Sequence, residues 1–297
     1  MKQKPAYFLF GEEQKNSLKN AKFVVLPVPM ERTVSYMKGT MMGPREIIRA
    51  SAQVEFFDCE LGFDCSKSGI YTDWTLGENE KAFNEPPIEH VLTQITTHVR
   101  NLVQTGHTVI SLGGEHIILP ALMPPFIEKW GKDLTVVHFD AHADLKDTYE
   151  DTPWSHACAV RRILGQVPIV SMGIRSVDEE EYALGKSHPG IQLFYAHEIH
   201  KNPAWIADVL SHIKTKYVYV TFDLDGLDPS VIPGLGTPEP GGLTWNQATN
   251  VLFEIAKKHF IVGADINEIA PSPLEYANFN AAKLTYKIMG YAALSQR

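Results

Sequence analysis

Seven continuous apolar, β-branched runs recur along the chain, with amphipathic stretches between them. They are "KFVVLPV" from Lys22, "HTVISL" from His107, "LTVVHF" from Leu134, "PIVSMGI" from Pro168, "IQLFYA" from Ile191, "KYVYVTF" from Lys216 and "FIVGADI" from Phe260. A strand that is apolar throughout, rather than at every second residue, is covered on both faces, and helices between such strands let them run parallel. Ile88 to Gln104 carries Val91, Ile95, Val99, Leu102 and Val103 at helical spacing, which predicts a helix. Further helices are expected over Pro203 to Lys214 and over Trp245 to Lys258, the latter capped by Thr244, and another should start at Gly43-Pro44. Proline is tolerated at a helix start because its missing N–H would have no partner there. No repeat or linker divides the chain, although Thr72 to Pro87 is long and polar. The expected fold is one α/β domain over residues 1–297, a three-layer α/β/α sandwich.

In an open parallel sheet ligands bind outside the carboxyl ends of the strands, so residues that follow different strands converge. "GGEH" (Gly113 to His116) follows the second run. "DAHAD" (Asp140, His142, Asp144) follows the third, and "DLDGLDP" (Asp223, Asp225, Asp228) follows the sixth. Each segment alone could be a polar turn. Together they deliver two histidines and at least four aspartates to one edge. Carboxylates gathered in a buried cleft repel one another, and two divalent cations would balance four of them. The mixed nitrogen and oxygen donors suit manganese better than a thiolate-type zinc site. Extended backbone would place Asp140, His142 and Asp144 on one face. His138, inside an apolar run, reads as a core histidine. His90, His98, His188, His197, His200, His212 and His259 sit in helical or loop contexts without partners.

Composition narrows the setting. The three cysteines, Cys59, Cys65 and Cys158, fit neither a disulfide framework nor a zinc knuckle, which points to a reducing cytoplasm. Cys59 and Cys65 could pair if oxidised. Near the start, the apolar stretch Ala6 to Phe10 is too short for a signal segment. A net charge of −8 disfavours nucleic acid and anionic membranes as partners and favours cationic ligands.

The order "GGEH … DAHAD … DLDGLDP … GTPEPGG" resembles the ureohydrolases, the arginases, agmatinases and their relatives, from "GTMMGPREIIRA" to "DINEIAP". The resemblance implies an arginase-like sandwich around an eight-stranded, mostly parallel sheet and a site holding two Mn(2+) per subunit. His116, Asp140, Asp144 and Asp223 would hold one ion and Asp140, His142, Asp223 and Asp225 the other. Glu239 in "GTPEPGG", fixed between two prolines, would pair with the substrate guanidinium, a geometry carboxylates favour. His156 in "TPWSHACA" falls where the family carries its proton-shuttle histidine.

"SHACAVRR" and "VPMERTVSY" look most like agmatinase-type members, which implies hydrolysis of agmatine to urea and putrescine. The alternative is N1-aminopropylagmatine giving spermidine, ahead of arginase, guanidinobutyrase or formimidoylglutamase chemistry. Arginases typically meet the substrate carboxylate with an asparagine where this chain has Lys146. That departure disfavours arginine, although a lysine could itself pair with a carboxylate. Asp178, first of the acidic run after "GIRS", could receive a distal ammonium or simply start a helix. Trp154 could stack on the substrate or pack. The family also implies a homo-trimer or homo-hexamer. A binuclear metallophosphatase would need a Gly-Asn-His segment that this chain lacks, and a single-zinc deacylase would not need both "DAHAD" and "DLD".

Overall fold

The computed structural model describes residues 6–78, 83–271 and 275–297. Residues 1–5, at the start of the segment read for a signal peptide, and 79–82, inside the polar stretch Thr72 to Pro87, lie outside the described residues.

All seven runs are strands. In chain order they are β1 (Phe23–Val28), β5 (Thr108–Gly113), β6 (Leu134–Phe139), β7 (Ile169–Ile174), β8 (Ile191–Tyr195), β9 (Tyr217–Asp223) and β10 (Phe260–Asn267). Three short strands were not expected: β2 (Phe57–Asp58), β3 (Phe63–Asp64) and β4 (Ile70–Thr72). β2 and β3 form a separate antiparallel pair. The main sheet has eight strands in the order β4-β1-β5-β10-β9-β6-β7-β8, and every pairing in it is parallel.

Successive side chains of a strand point to opposite faces, and two hydrophobic cores result. On one face Val25, Ile110, Val137 and Val220 pack with Ile47, Ile48, Val251, Leu252 and Leu284. These come from the helices Gly43–Ser51, Trp245–Ala256 and Tyr276–Ser295. On the other, Val24, Leu26, Val109 and Val136 pack with Val91, Ile95, Leu122 and Phe126, from Ile88–Gln104 and Leu119–Trp130. Burying each such side chain stabilises the fold by about 1.5–3 kcal/mol. Thr244 starts its helix with a capping box, its hydroxyl accepting from Gln247 N–H at 3.2 Å.

Strand register levels the ends that matter. Phe139 lies opposite Phe222, Asn267 opposite Asp223, and Ile266 opposite Leu112. The Phe139 and Phe222 rings stack with centroids 4.5 Å apart, directly before Asp140 and Asp223. Phe139→Ala would cost about 3–5 kcal/mol and loosen both strand ends at once. The three cysteines are free thiols, Cys59 exposed and Cys65 and Cys158 buried. Among the described residues no helix is long and apolar enough to cross a membrane.

Candidate metal centre

Two glycines bring the first histidine to the strand edge. A Cβ on Gly113 would lie 2.0 Å from Asn267 Oδ1, and one on Gly114 would lie 2.1 Å from the Met30 carbonyl oxygen. Only a chain without side chains passes between the ends of β1 and β10. His116 follows in a short 3₁₀ turn, 1% exposed.

The three expected motifs converge as two clusters. Around His116 Nδ1 lie Asp144 Oδ2 at 3.1 Å, Asp140 Oδ2 at 3.2 Å and Asp223 Oδ2 at 3.6 Å. Around His142 Nδ1 lie Asp225 Oδ2 at 3.0 Å and Asp140 Oδ1 at 3.5 Å. Asp140 thus offers one oxygen to each cluster. The donor atoms of His116, His138, Asp140 and Asp144, and likewise those of Asp140, His142 and Asp225, all lie within 4.8 Å of one another. Imidazole nitrogen and carboxylate oxygen packed this closely fit a pair of divalent cations.

Charge at the centre argues the same way. Burial and the neighbouring Asp225 and Asp140 push the Asp223 carboxyl well above the ordinary aspartate value. Burial and Asp140 raise Asp144 to about 6. Burial would lower His142, but Asp225 and Asp140 raise it to about 12.

Some positions differ from expectation. β6 ends at Phe139, and beyond it His142 makes an isolated bridge to Ser176. Asp144 has a φ of 54°, so its carboxylate reaches His116 from a left-handed turn rather than by strand alternation. Asp228 stays out of the clusters and accepts from Ser230, Gly241 and Gly242 N–H groups, a turn role. His138 is a buried core histidine, and it also bonds Asp140 Oδ2 at 2.8 Å and Ser171 Oγ at 2.9 Å. His98, without a partner in sequence, pairs with Asp73 at 2.8 Å.

A cavity of about 170 Å³ opens beside the clusters, lined by His142, Asp144, Lys146, His156, Asp178 and Thr237 among others. His156 is held low, at about 4, by burial and by the charge of His142. Asp178 starts the helix Glu179–Ser187 with a capping box, so the helix-start reading of the acidic run is what the fold uses. Its carboxylate also pairs with Lys146, whose ammonium lies 3.2 Å from Glu181 as well. Glu239 is carried on a loop that Arg175 ties down, donating to the Glu239 carbonyl at 2.6 Å and to that of Asp225 at 2.7 Å. From this loop Thr237, not Glu239, is among the cavity's described lining residues, and Thr237 donates to Asp225 Oδ2 at 3.3 Å. Trp154 is half-buried and packs against the core.

Sequence reading missed the groups behind the clusters. His116 Nε2 lies 2.7 Å from Thr221 Oγ1, which donates to Asp265 Oδ1 at 2.7 Å. Glu268, buried and at a φ of 68°, accepts the His116 backbone N–H at 2.7 Å. Thr221, Asp265 and Glu268 stand inside "KYVYVTF" and "DINE", where an apolar context hid them.

Comparison with known proteins follows this geometry. The arginase family model matches residues 21–293. An N(1)-aminopropylagmatine ureohydrolase from Synechocystis is 37% identical over 298 residues, covering 99% of this chain and 96% of that protein. An agmatinase from Bacillus anthracis is 31% identical over 259 residues, 86% of each chain. Among solved structures, the agmatine ureohydrolase of Thermoplasma volcanium superposes with a TM-score of 0.81 at 28% identity, covering 95% of this chain and 93% of that one.

Proposed function

The chain belongs to the arginase family, and from that premise we propose that it is an agmatinase-type ureohydrolase whose two Mn(2+) ions sit in the His/Asp clusters. The observation that carries this reading is Asp140, with one oxygen toward each cluster beside a cavity that His156 lines. His116, Asp140, Asp144 and Asp223 would hold one ion, and Asp140, His142, Asp223 and Asp225 the other. Bound there, a pair of divalent cations supplies Lewis-acid activation of water.

The chain's own groups then act on the substrate. Glu239, two residues beyond the cavity-lining Thr237, would pair with the guanidinium and fix its carbon in the site. Water oxygen adds to that carbon, the bond to the alkyl nitrogen breaks, and His156 delivers a proton to the departing amine. The products are urea and a primary amine.

Lys146 bears on what hangs from the guanidinium. Its ammonium is already engaged by Asp178 and Glu181, so it is not free for a substrate carboxylate. Two carboxylates against one ammonium leave a net negative rim, and Asp178, its half-exposed member, is the group that would meet a distal ammonium. Agmatine, giving putrescine, is the main reading. The Synechocystis relative, named for N(1)-aminopropylagmatine and matched over nearly the whole chain, favours that longer substrate as a second. We take residues 1–297 as one catalytic unit, a cytoplasmic homo-trimer or homo-hexamer with no nucleic-acid or membrane partner.

The test is urea release by manganese-loaded protein from agmatine, N1-aminopropylagmatine, arginine and guanidinobutyrate. Absence of urea from all four, with two ions bound per chain, would overturn the reading.

A further inference from the structure

The segment that leaves β1 reaches over the site and is clamped there by one side chain. Glu115, fully buried, accepts the backbone N–H groups of Arg32, Thr33 (2.6 Å) and Val34 (3.2 Å) through Oε1. Its Oε2 accepts the Thr33 hydroxyl at 2.5 Å. Thr33 Oγ1 in turn accepts the backbone N–H of His156 at 3.1 Å and lies 3.4 Å from His156 Nδ1. A hydroxyl has one proton to give. With that proton committed to Glu115, the Thr33 oxygen can only accept from the ring, so a hydrogen bond between them requires the hydrogen to be on Nδ1. Nε2 is left as the nitrogen that exchanges a proton. Ser155 Oγ, at 3.5 Å from Nδ1, is the other hydroxyl near it.

We infer that Thr33 and Glu115 are positioning residues for His156: the carboxylate orients the hydroxyl, and the hydroxyl holds the imidazole in the Nδ1–H tautomer. This rests on the role proposed above for His156. Glu115 and His156 are 82 and 123 positions from Thr33 in sequence, and the contact with Glu115 forms because the ends of β1 and β5 are neighbours in the sheet.

Two measurements test it. In ¹⁵N-histidine-labelled protein loaded with diamagnetic zinc, the native His156 ring should show a protonated Nδ1 and an unprotonated Nε2 at about pH 8, and Thr33→Val should lose that single tautomer. A native ring protonated at Nε2 instead would overturn the inference whatever the enzyme's substrate. In manganese-loaded enzyme acting on agmatine and N1-aminopropylagmatine, Thr33→Val should lower kcat about 10- to 100-fold, less than the roughly 10²- to 10⁴-fold ascribed to a positioned acid–base group itself. KM and two ions per chain should be kept, and Thr33→Ser should restore kcat. Glu115→Gln should lower kcat too, and adding Thr33→Val to it should cost little more, because residues acting through one another are not additive. Native kcat in Thr33→Val while His156→Ala is impaired would sink the inference alone. Native kcat in His156→Ala would sink the proposed role of His156 itself.

Discussion

His116 Nε2 and Thr221 Oγ1 are 2.7 Å apart, and the hydroxyl's own proton goes to Asp265. Thr221 therefore accepts from the ring, which turns the Nδ1 lone pair toward Asp140, Asp144 and Asp223. A hydrogen bond behind a ligand fixes its tautomer and raises its basicity. Thr221→Val keeps the shape and removes the acceptor. Metal affinity, measured by chelator competition, should fall about 10- to 100-fold, with the fold retained. Unchanged affinity would mean that His116 needs no such partner.

Asp140 presents one carboxylate oxygen to His116 and the other to His142. Asp140→Asn should therefore lower occupancy of two ions, whereas Asp225→Asn should affect chiefly the ion beside His142. Metal counted per chain after gel filtration separates the cases. Two tightly held ions in Asp140→Asn would contradict the shared-ligand assignment.

Among the described residues, His156 bonds Thr33 and none of the clustered carboxylates. Its replacement by alanine should leave both metals in place and reduce turnover by roughly 10²- to 10⁴-fold. Loss of metal instead would make it a structural support of the centre.

Substrate choice should follow the paired state of Lys146. Arginine adds a carboxylate that would meet the net negative group of Asp178, Glu181 and Lys146. Leaving such a charge unpaired in a partly buried site costs several kcal/mol, and each 1.36 kcal/mol is about tenfold in rate. Agmatine or its aminopropyl derivative should exceed arginine by at least about a hundredfold in kcat/KM. Equal values in a side-by-side urea assay would refute this use of the rim.

Away from the centre, Asp73 has a testable acid dependence. Burial would raise its pKa, but hydrogen bonds from His98 and Thr75 hold it below the ordinary aspartate value. A depressed folded-state pKa means stability that is present above the unfolded value, about 3.9, and is lost as pH falls through the folded one. Asp73→Asn should cost about 1–3 kcal/mol at pH 7, and the gap from the native protein should narrow below about pH 4. Urea denaturation at both pH values checks the sign.

The sequence made the strands legible because continuous apolar runs leave a buried parallel sheet as their main outlet, and it made the clusters legible because those strands end together. β4 escaped notice because three residues, Ile70 to Thr72, carry no period of their own. Thr33, Thr221 and Glu268 escaped for another reason. Their work depends on partners 123, 105 and 152 residues away, and local spacing contains no trace of a hydrogen bond that the sheet order creates. The positive φ of Asp144 was equally hidden, since aspartate in sequence does not announce a left-handed turn.

Gly113 and Gly114 carry no side chain with which to hold a substrate or an ion, yet neither tolerates a single added carbon, because backbone and Asn267 occupy the space. In a saturation mutagenesis survey scored on growth or activity, both would register as intolerant as His116 itself. Sensitivity to replacement along "GGEH" would then report steric passage at two positions and ligation at a third. Only a readout of folded yield, which the glycine variants should depress and a His116→Asn variant should largely spare, would tell the doorway from the occupant.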